Sequence, residues 1–408
     1  MKTNVPSKMW SNPTVRKYLI FSGCDYLTRA LTSATYVLFL LSRGANLWQA
    51  GLINVFFMVT IIAMEVPTGA FADHCGRRLS LTVGCLLTAG GCFFYFFADA
   101  FWLFVTAEII VGVGRTFVSG ALDAWLVDSL HHENQSPLKA KVFRRRQLFE
   151  AGGLAVGGLI GARLGGYGLA WPWLLASGSI LLIALYSLSF RELYRSDEIT
   201  SFKKTHLTLA WHVCGRGLKN PNLIYAMAFG AILSLALQAV NMQWTKFFQD
   251  QYQLSVSHLG WLIVGVALAK ASSGPLSSLA NHLTGNEKKS LVITQTLTAL
   301  AIILIAQVSN LTLAVSVFLL HEVGREIFLP LKQNYLNNQI TTKHRATILS
   351  LDSMLVRIGS LSGLLLSGWL ATAYSIRLAW TVSGLLLLIA ALLFLLIKRK
   401  PIKPQNGL

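Results

Sequence analysis

Charge is the scarcest thing in this sequence. Only 13% of its 408 residues are Asp, Glu, Lys or Arg, against about 25% in an average soluble domain. A soluble chain of this length needs a solvated surface, and the residues to build one are missing. That excludes the multidomain soluble protein that length alone suggests. Acidic residues are the scarcer sign, with 17 Asp+Glu against 35 Lys+Arg and a net charge of +18. Such a balance invites a nucleic-acid-binding reading, which requires the bases to cluster on one face of a soluble module. Cysteine is also sparse. The five, Cys24, Cys75, Cys85, Cys92 and Cys214, form no CxxC pair and no His/Cys cluster at zinc spacing, so neither a disulfide framework nor a metal site is expected. There is no Walker loop, no HExxH and no His-rich loop, and only His131 and His132 of the nine histidines are adjacent. With no catalytic constellation in view, a membrane enzyme such as an acyl or phosphate transferase is disfavoured. The N-terminal MKTNVPSKMWSNPTVRKY is too long and polar for a signal-peptide n-region. No small-residue cleavage site follows it, so the first apolar run is expected to be retained.

What the chain does have is hydrophobic length. Hydrophobic residues make up 54%, and mean hydropathy is +0.55. A membrane-spanning helix needs about 20 mostly apolar residues. Runs of that kind occur at 18–41, 48–70, 80–98, 101–122, 147–165 and 171–190, then at 223–246, 258–280, 290–308, 311–333, 347–371 and 377–397. The expected fold is therefore all-α: twelve transmembrane helices in two six-helix bundles, residues 1–190 and 223–408. The polar stretch 191–222 is their connector. Lys and Arg concentrate in alternate loops, at Arg77 and Arg78, at Lys139 through Arg146, in the connector, at Lys332 and at both termini. By the positive-inside rule these loops, the connector and both termini are cytoplasmic. Location thus accounts for the positive charge, and no nucleic-acid partner is expected. The halves also echo each other: Val113-Gly114-Arg115 in the fourth span matches Val323-Gly324-Arg325 in the tenth, as in internally repeated transporters.

Between the second and third spans lies Gly69-Ala-Phe-Ala-Asp73-His-Cys-Gly76-Arg77-Arg78. Gly69 permits close helix packing, Gly76 permits a tight turn, and Asp73 with the two arginines can form ion pairs at the cytoplasmic seam. This sequence, in this loop of a twelve-span chain, resembles the signature loop of the major facilitator superfamily. The resemblance implies two pseudo-symmetric bundles, alternating access and an arginine pairing with an acid at the cytoplasmic end of the fourth span. Asp123 and Asp128 both qualify, and spacing does not choose between them. It also points toward the drug or metabolite:proton antiporters, whose fifth span carries a glycine-rich motif. Here Gly153, Gly157, Gly158 and Gly161 keep the glycine staircase without the proline of that motif, and Glu108 stands where the fourth-span motif has arginine.

Ionisable groups in hydrocarbon cost at least about 2.5–3.5 kcal/mol each, so each needs a partner or a task. Asp25 and Arg29 share a face of the first span at i,i+4, and Arg115 enters from the fourth span. Asp25 therefore has two possible partners. Glu150, at the start of the fifth span, reads as a helix cap among Arg144, Arg145 and Arg146. In the tenth span His321, Glu322, Arg325 and Glu326 fall within six residues. Lys270 is central in the eighth span, and Asp352 and Arg357 lie in the eleventh. Asp25, Glu108 and Glu322 are the candidates for proton coupling. Arg29, Arg115, Gln238, Asn241, Lys270, His321, Arg325 and Arg357 are candidates for the substrate cavity. The chain is expected to be a secondary active transporter of a small organic solute in a bacterial inner membrane. Proton-coupled efflux is favoured, with proton-coupled uptake of a carboxylate-bearing or zwitterionic metabolite as the alternative. The expected partners are solute, protons and the lipid bilayer, with the proton gradient as energy source, no cofactor, and a monomeric state.

Overall fold

The computed structural model describes residues 9–192, 221–340 and 345–396. Most of the connector and both charged termini therefore lie outside the described residues. The helices are α1 Pro13–Ser33, α2 Tyr36–Ser42, α3 Leu47–Cys75, α4 Arg77–Phe97, α5 Phe101–His132, α6 Lys139–Gly165 and α7 Trp171–Ser187, then α8 Pro221–Tyr252, α9 Val256–Thr284, α10 Glu287–Gln307, α11 Leu311–Asn337, α12 Arg345–Ala373 and α13 Ile376–Leu396. Each of the twelve expected spans holds a helix, the first span being α1 and α2 in sequence. The described residues contain no strand.

Local chemistry sets the helix boundaries. Asn12 caps α1 by accepting from the Val15 N–H at 3.0 Å, and Pro13 occupies the first turn, the two commonest signals for a helix start. The break after Ser33 falls in a hydroxyl-rich stretch. Thr32, Ser33 and Thr35 donate to the carbonyls of Arg29, Ala30 and Thr32, competing with the backbone ladder. α3 opens with a reciprocal capping box between Asn46 and Gln49. Several helices outrun the apolar runs that announced them: α5 continues to His132, α6 begins at Lys139, and α11 continues to Asn337. Arg144, Arg145, Arg146 and Lys332, read as loop charges from the sequence, are thus carried on helices, where they can reach inward.

Among the described residues, nine helices are long and apolar enough to cross a membrane by themselves. The expected spans that fall short are the first, the sixth and the tenth. α7, of 17 residues, is merely short. The first is broken after Ser33, and it carries Asp25 and Arg29. The tenth, α11, carries His321, Glu322, Arg325, Glu326 and Lys332. Two of the least apolar spans are therefore those loaded with intramembrane charge.

The chain divides into two compact units. One takes Met1–Thr200 with Thr245–Ala271, and the other takes Ser201–Trp244 with Ser272–Leu408. The boundaries cut through α8 and α9, because Thr245–Ala271 packs within the first unit: Cβ atoms on Gly158 and Gly260 would strike Ile263 and Ala162. In that unit α6 lies along α1 with almost no space between. Side chains on Gly153, Gly157 and Gly161 would collide with the carbonyls of Gly23, Leu27 and Leu31. Both series step by four residues, one turn of helix, so each glycine admits one turn of α1. The second unit repeats the device, with Gly359 and Gly363 of α12 against the carbonyls of Ala231 and Leu235 of α8. A second contact recurs: Gly114 packs on Thr88, and Gly324 packs on Thr298, with equal sequence separation in each pair. The three-residue echo at Arg115 and Arg325 is thus part of a repeated packing arrangement.

Gly157→Val should therefore destabilise the protein by about 1–3 kcal/mol, the usual cost of overpacking, whereas Gly152→Ala, which faces open space, should be neutral or mildly stabilising. Thermal melting of the purified protein in detergent checks both, and equal melting temperatures would rule out the close α1–α6 seam.

Candidate functional site

The loop motif is built around a helix start. Gly76 has φ +100°, which glycine adopts without strain. The turn exposes the first N–H groups of α4, which have no intrahelical acceptor. Glu192 supplies one: its carboxylate accepts from the backbone N–H groups of Arg77 and Arg78 at 2.9 and 2.8 Å. A Cβ on Gly76 would lie 3.1 Å from that carboxylate, so glycine is needed for space as well as for φ. The Arg77 guanidinium pairs with Asp73 at 3.1 Å and with Asp128 at 3.0 Å. Arg78 has an exposed side chain. Asp123 does not meet the motif; it accepts from Tyr18 Oη at 2.8 Å and from Arg146 at 2.5 Å. The two acids are five residues apart, hence about 140° apart around the helix, and so face different neighbours. Gly69 does not do what the sequence implied. A Cβ there would meet nothing within 4 Å, so no close helix contact depends on it among the described residues.

Deeper in the same unit runs a chain of ion pairs. Asp25 joins both of its possible partners, Arg29 at 2.6 Å and Arg115 at 2.7 Å. A carboxylate has two oxygens, and each guanidinium takes one. Arg29 also lies over the Tyr26 ring, 5.4 Å from its centroid. Lys270 Nζ of α9 lies 3.8 Å from the same centroid and pairs with Glu150 at 2.9 Å. Glu150 is held in turn by Arg146 at 2.5 Å, which links the series to Asp123. Glu150 is thus a buried ion-pair centre, where the sequence reading made it a helix cap. The available signal was its i,i+4 spacing from Arg146; no sequence signal joined it to Lys270.

Glu108 is surrounded differently. It is 7% exposed and accepts from Tyr95 Oη at 2.8 Å and from Tyr36 Oη at 3.4 Å. Asn54 donates to Tyr36 Oη at 2.7 Å, and Tyr95 stacks on Trp173 with centroids 3.9 Å apart. Among the described residues no cation lies within ion-pair distance of this carboxylate.

In the second unit Arg325 gathers three residues singled out in the sequence. It donates to Asn241 Oδ1 at 2.7 Å and lies 3.4 Å from Glu322 and from Glu326. The fully buried His321 places Nδ1 3.3 Å from Glu322 Oε1. Gln238 and Arg357 are half-buried, on α8 and α12. Gln243 serves helix packing, donating to the Ser367 carbonyl at 2.9 Å and accepting from Trp380 at 3.1 Å. Sequence reasoning missed Lys332, which is 3% exposed and paired with Asp352 at 2.6 Å. Its ammonium occupies the space left by the missing side chain of Gly230. Arg325, Lys332, Asp352 and Ser234 line a cavity of about 410 Å³. The described residues hold no cluster of three metal-ligating side chains.

Comparison with known proteins agrees with this fold. The profile of the Major Facilitator Superfamily matches residues 18–255 and 223–408. The chain is 21% identical over 388 residues to the MFS-type transporter YxaM of Bacillus subtilis (strain 168), covering 93% of this chain and 94% of YxaM. It is 26% identical over 346 residues to the multidrug resistance protein MdtG of Proteus mirabilis (strain HI4320), covering 82% of each. The fold matches a crystal structure of the nucleoside transporter NupG with TM-score 0.75 at 12% identity, over 94% of this chain and 98% of that one.

Removing the carboxylate of Asp25, 13% exposed, leaves two guanidiniums facing each other. Asp25→Asn should cost about 3–5 kcal/mol, the range for breaking a buried pair. Asp123→Asn, at a 45% exposed carboxylate, should cost under about 1 kcal/mol. Thermal melting of the two variants side by side gives the ranking, and a smaller loss for Asp25→Asn would contradict it.

Proposed function

The chain belongs to the Major Facilitator Superfamily and is a membrane transporter, and on that premise we propose that it exports a small organic solute in exchange for protons. The observation that carries the coupling is Glu108. Among the three candidate carboxylates, Asp25 is clamped by two arginines and cannot lose its charge without stranding a cation, and Glu322 is paired with Arg325. Glu108 is bonded by hydroxyls and can take or release a proton with no ion pair broken. Alternating access follows from the loop motif. The Arg77 pairs with Asp73 and Asp128 are partly exposed, so separating them costs little. Asp25, Arg29 and Arg115 stay together through the cycle as the rigid element beneath that gate. The similarity to the multidrug resistance protein MdtG favours efflux. The glycine-rich fifth span adds no weight to it, because its glycines are used in packing against α1. In this reading the protein works as a monomer in a bacterial inner membrane, with both termini cytoplasmic and no cofactor beyond the proton gradient.

The second reading, proton-coupled uptake, differs only in the gradient that drives it. Reconstituted vesicles loaded with a solute that stabilises the purified protein separate the two. An acidic side opposite the solute should accelerate its exit in efflux, and an acidic side shared with the solute should do so in uptake. Glu108→Gln, which keeps an acceptor for the tyrosines, should abolish acceleration by either gradient and preserve solute exchange. A normally driven Gln variant removes Glu108 from coupling. Arg77→Ala should slow turnover about tenfold, as expected for loss of one charge-assisted contact, with solute affinity unchanged.

A further inference from the structure

The series of ion pairs in the first unit is not symmetric in what it presents to its surroundings. Two of its acids are turned inward, Asp25 at 13% and Glu150 at 7% exposed, while Asp123, at the far end beyond Arg146, is 45% exposed. Beside the two buried acids the more accessible partners are cations, Arg29 at 40% and Lys270 at 18% exposed. Both cationic heads lie over one ring, Tyr26, although they come from helices distant in sequence. Neither head is used up. An ammonium has three donors, and Lys270 commits one to Glu150; a guanidinium has five, and Arg29 commits Nη2 to Asp25. The remaining charged members, Arg115, Arg146 and Asp123, are paired within the series. Glu108 is taken by Tyr36 and Tyr95 and offers nothing to Arg29 or Lys270. A cationic pair with spare donors, backed by buried carboxylates that hold it in place, is a receptor for an anion.

We infer that Arg29 and Lys270, seated on Tyr26, bind the carboxylate of an anionic organic solute, the guanidinium through its planar fork and the ammonium as a point charge. This inference rests on the transporter reading and names the substrate class for it. The solute's carboxylate takes free N–H groups, so Asp25 and Glu150 keep their pairs and the helices keep their positions. Glu150 is a positioning residue: it fixes Lys270 and does not touch the solute.

The test uses the full chain purified in detergent and matched probes: acetate, benzoate and indole-3-acetate, each beside its neutral amide, with benzylammonium as the cationic probe. Thermal melting and intrinsic tryptophan fluorescence read binding without any need for transport. At least one carboxylate should stabilise the protein while its amide does not. Lys270→Gln and Arg29→Gln should each weaken that carboxylate about tenfold or more. Lys270→Arg, which keeps the charge, should retain binding and guards against a variant that simply fails to fold. Equal stabilisation by acid and amide, no response to any carboxylate, or unchanged affinity in a folded Lys270→Gln protein overturns the assignment. Stabilisation by benzylammonium or the amides alone also overturns it, while leaving the transporter reading intact. Failure of a carboxylate-binding protein to move its solute across vesicles would instead remove the transporter reading.

Discussion

An ion in hydrocarbon must find a counter-ion, and in this protein that requirement decides which helices touch. The insertion cost of a lone charge, at least about 2.5–3.5 kcal/mol, is comparable to the gain from burying a large apolar side chain. Asp25 ties α1 to α5 through Arg115, Glu150 ties α6 to α9 through Lys270, and Lys332 ties α11 to α12 through Asp352. Breaking any of these pairs strands a charge, so the pairs act as registration points between helices whose lipid-facing surfaces are otherwise interchangeable. Lipid gives no hydrophobic drive for one apolar helix to prefer another. The polar contacts supply the preference.

Close packing completes what the ion pairs begin. The bond from Arg146 of α6 to Tyr18 Oη of α1 at 2.9 Å holds only if the two helices are kept near each other, and the glycine series of α6 does that by admitting the α1 carbonyls. Packing and electrostatics are therefore one arrangement in the first unit. The second unit carries the same glycine device on α12 but a different charge set, with Arg325 bonded to Asn241 where Arg115 has Asp25. A duplicated scaffold thus carries two unlike polar interiors.

The division of labour among carboxylates follows from their neighbours. Asp25, Glu150 and Glu322 sit beside arginine or lysine and contribute structure. Glu108 sits beside two tyrosines and an asparagine that steadies one of them. In the proposed reading one kind of group serves as a counter-ion in three places and as the proton carrier in the fourth, because hydroxyls can bond either form of an acid whereas a guanidinium holds only one.

Much of this was legible from residue order. Twelve apolar runs, the charge asymmetry between loops, the Gly69 to Arg78 motif and the grouping of His321, Glu322 and Arg325 all depend on local composition or on contacts within one helix, and periodicity reports those directly. Residue order could bring Asp25 within reach of Arg29 because i,i+4 neighbours always meet. It could not show that Arg115 shares the same carboxylate, that Asp128 takes Arg77 while Asp123 turns to Arg146, or that Lys332 leaves the loop tally and enters the space above Gly230. It also assigned Gly69 a packing role that belongs to Gly153, Gly157 and Gly161. Each of these depends on how a helix is rotated and how closely it meets a neighbour far away in the chain. A rotation of about 100° per residue carries a side chain from one partner to another with no change in local pattern. Composition by itself determined that the chain crosses the membrane and which residues had to be paired there; only the tertiary structure decided with whom, because pairing is set by helix rotation and separation, which no local sequence feature encodes.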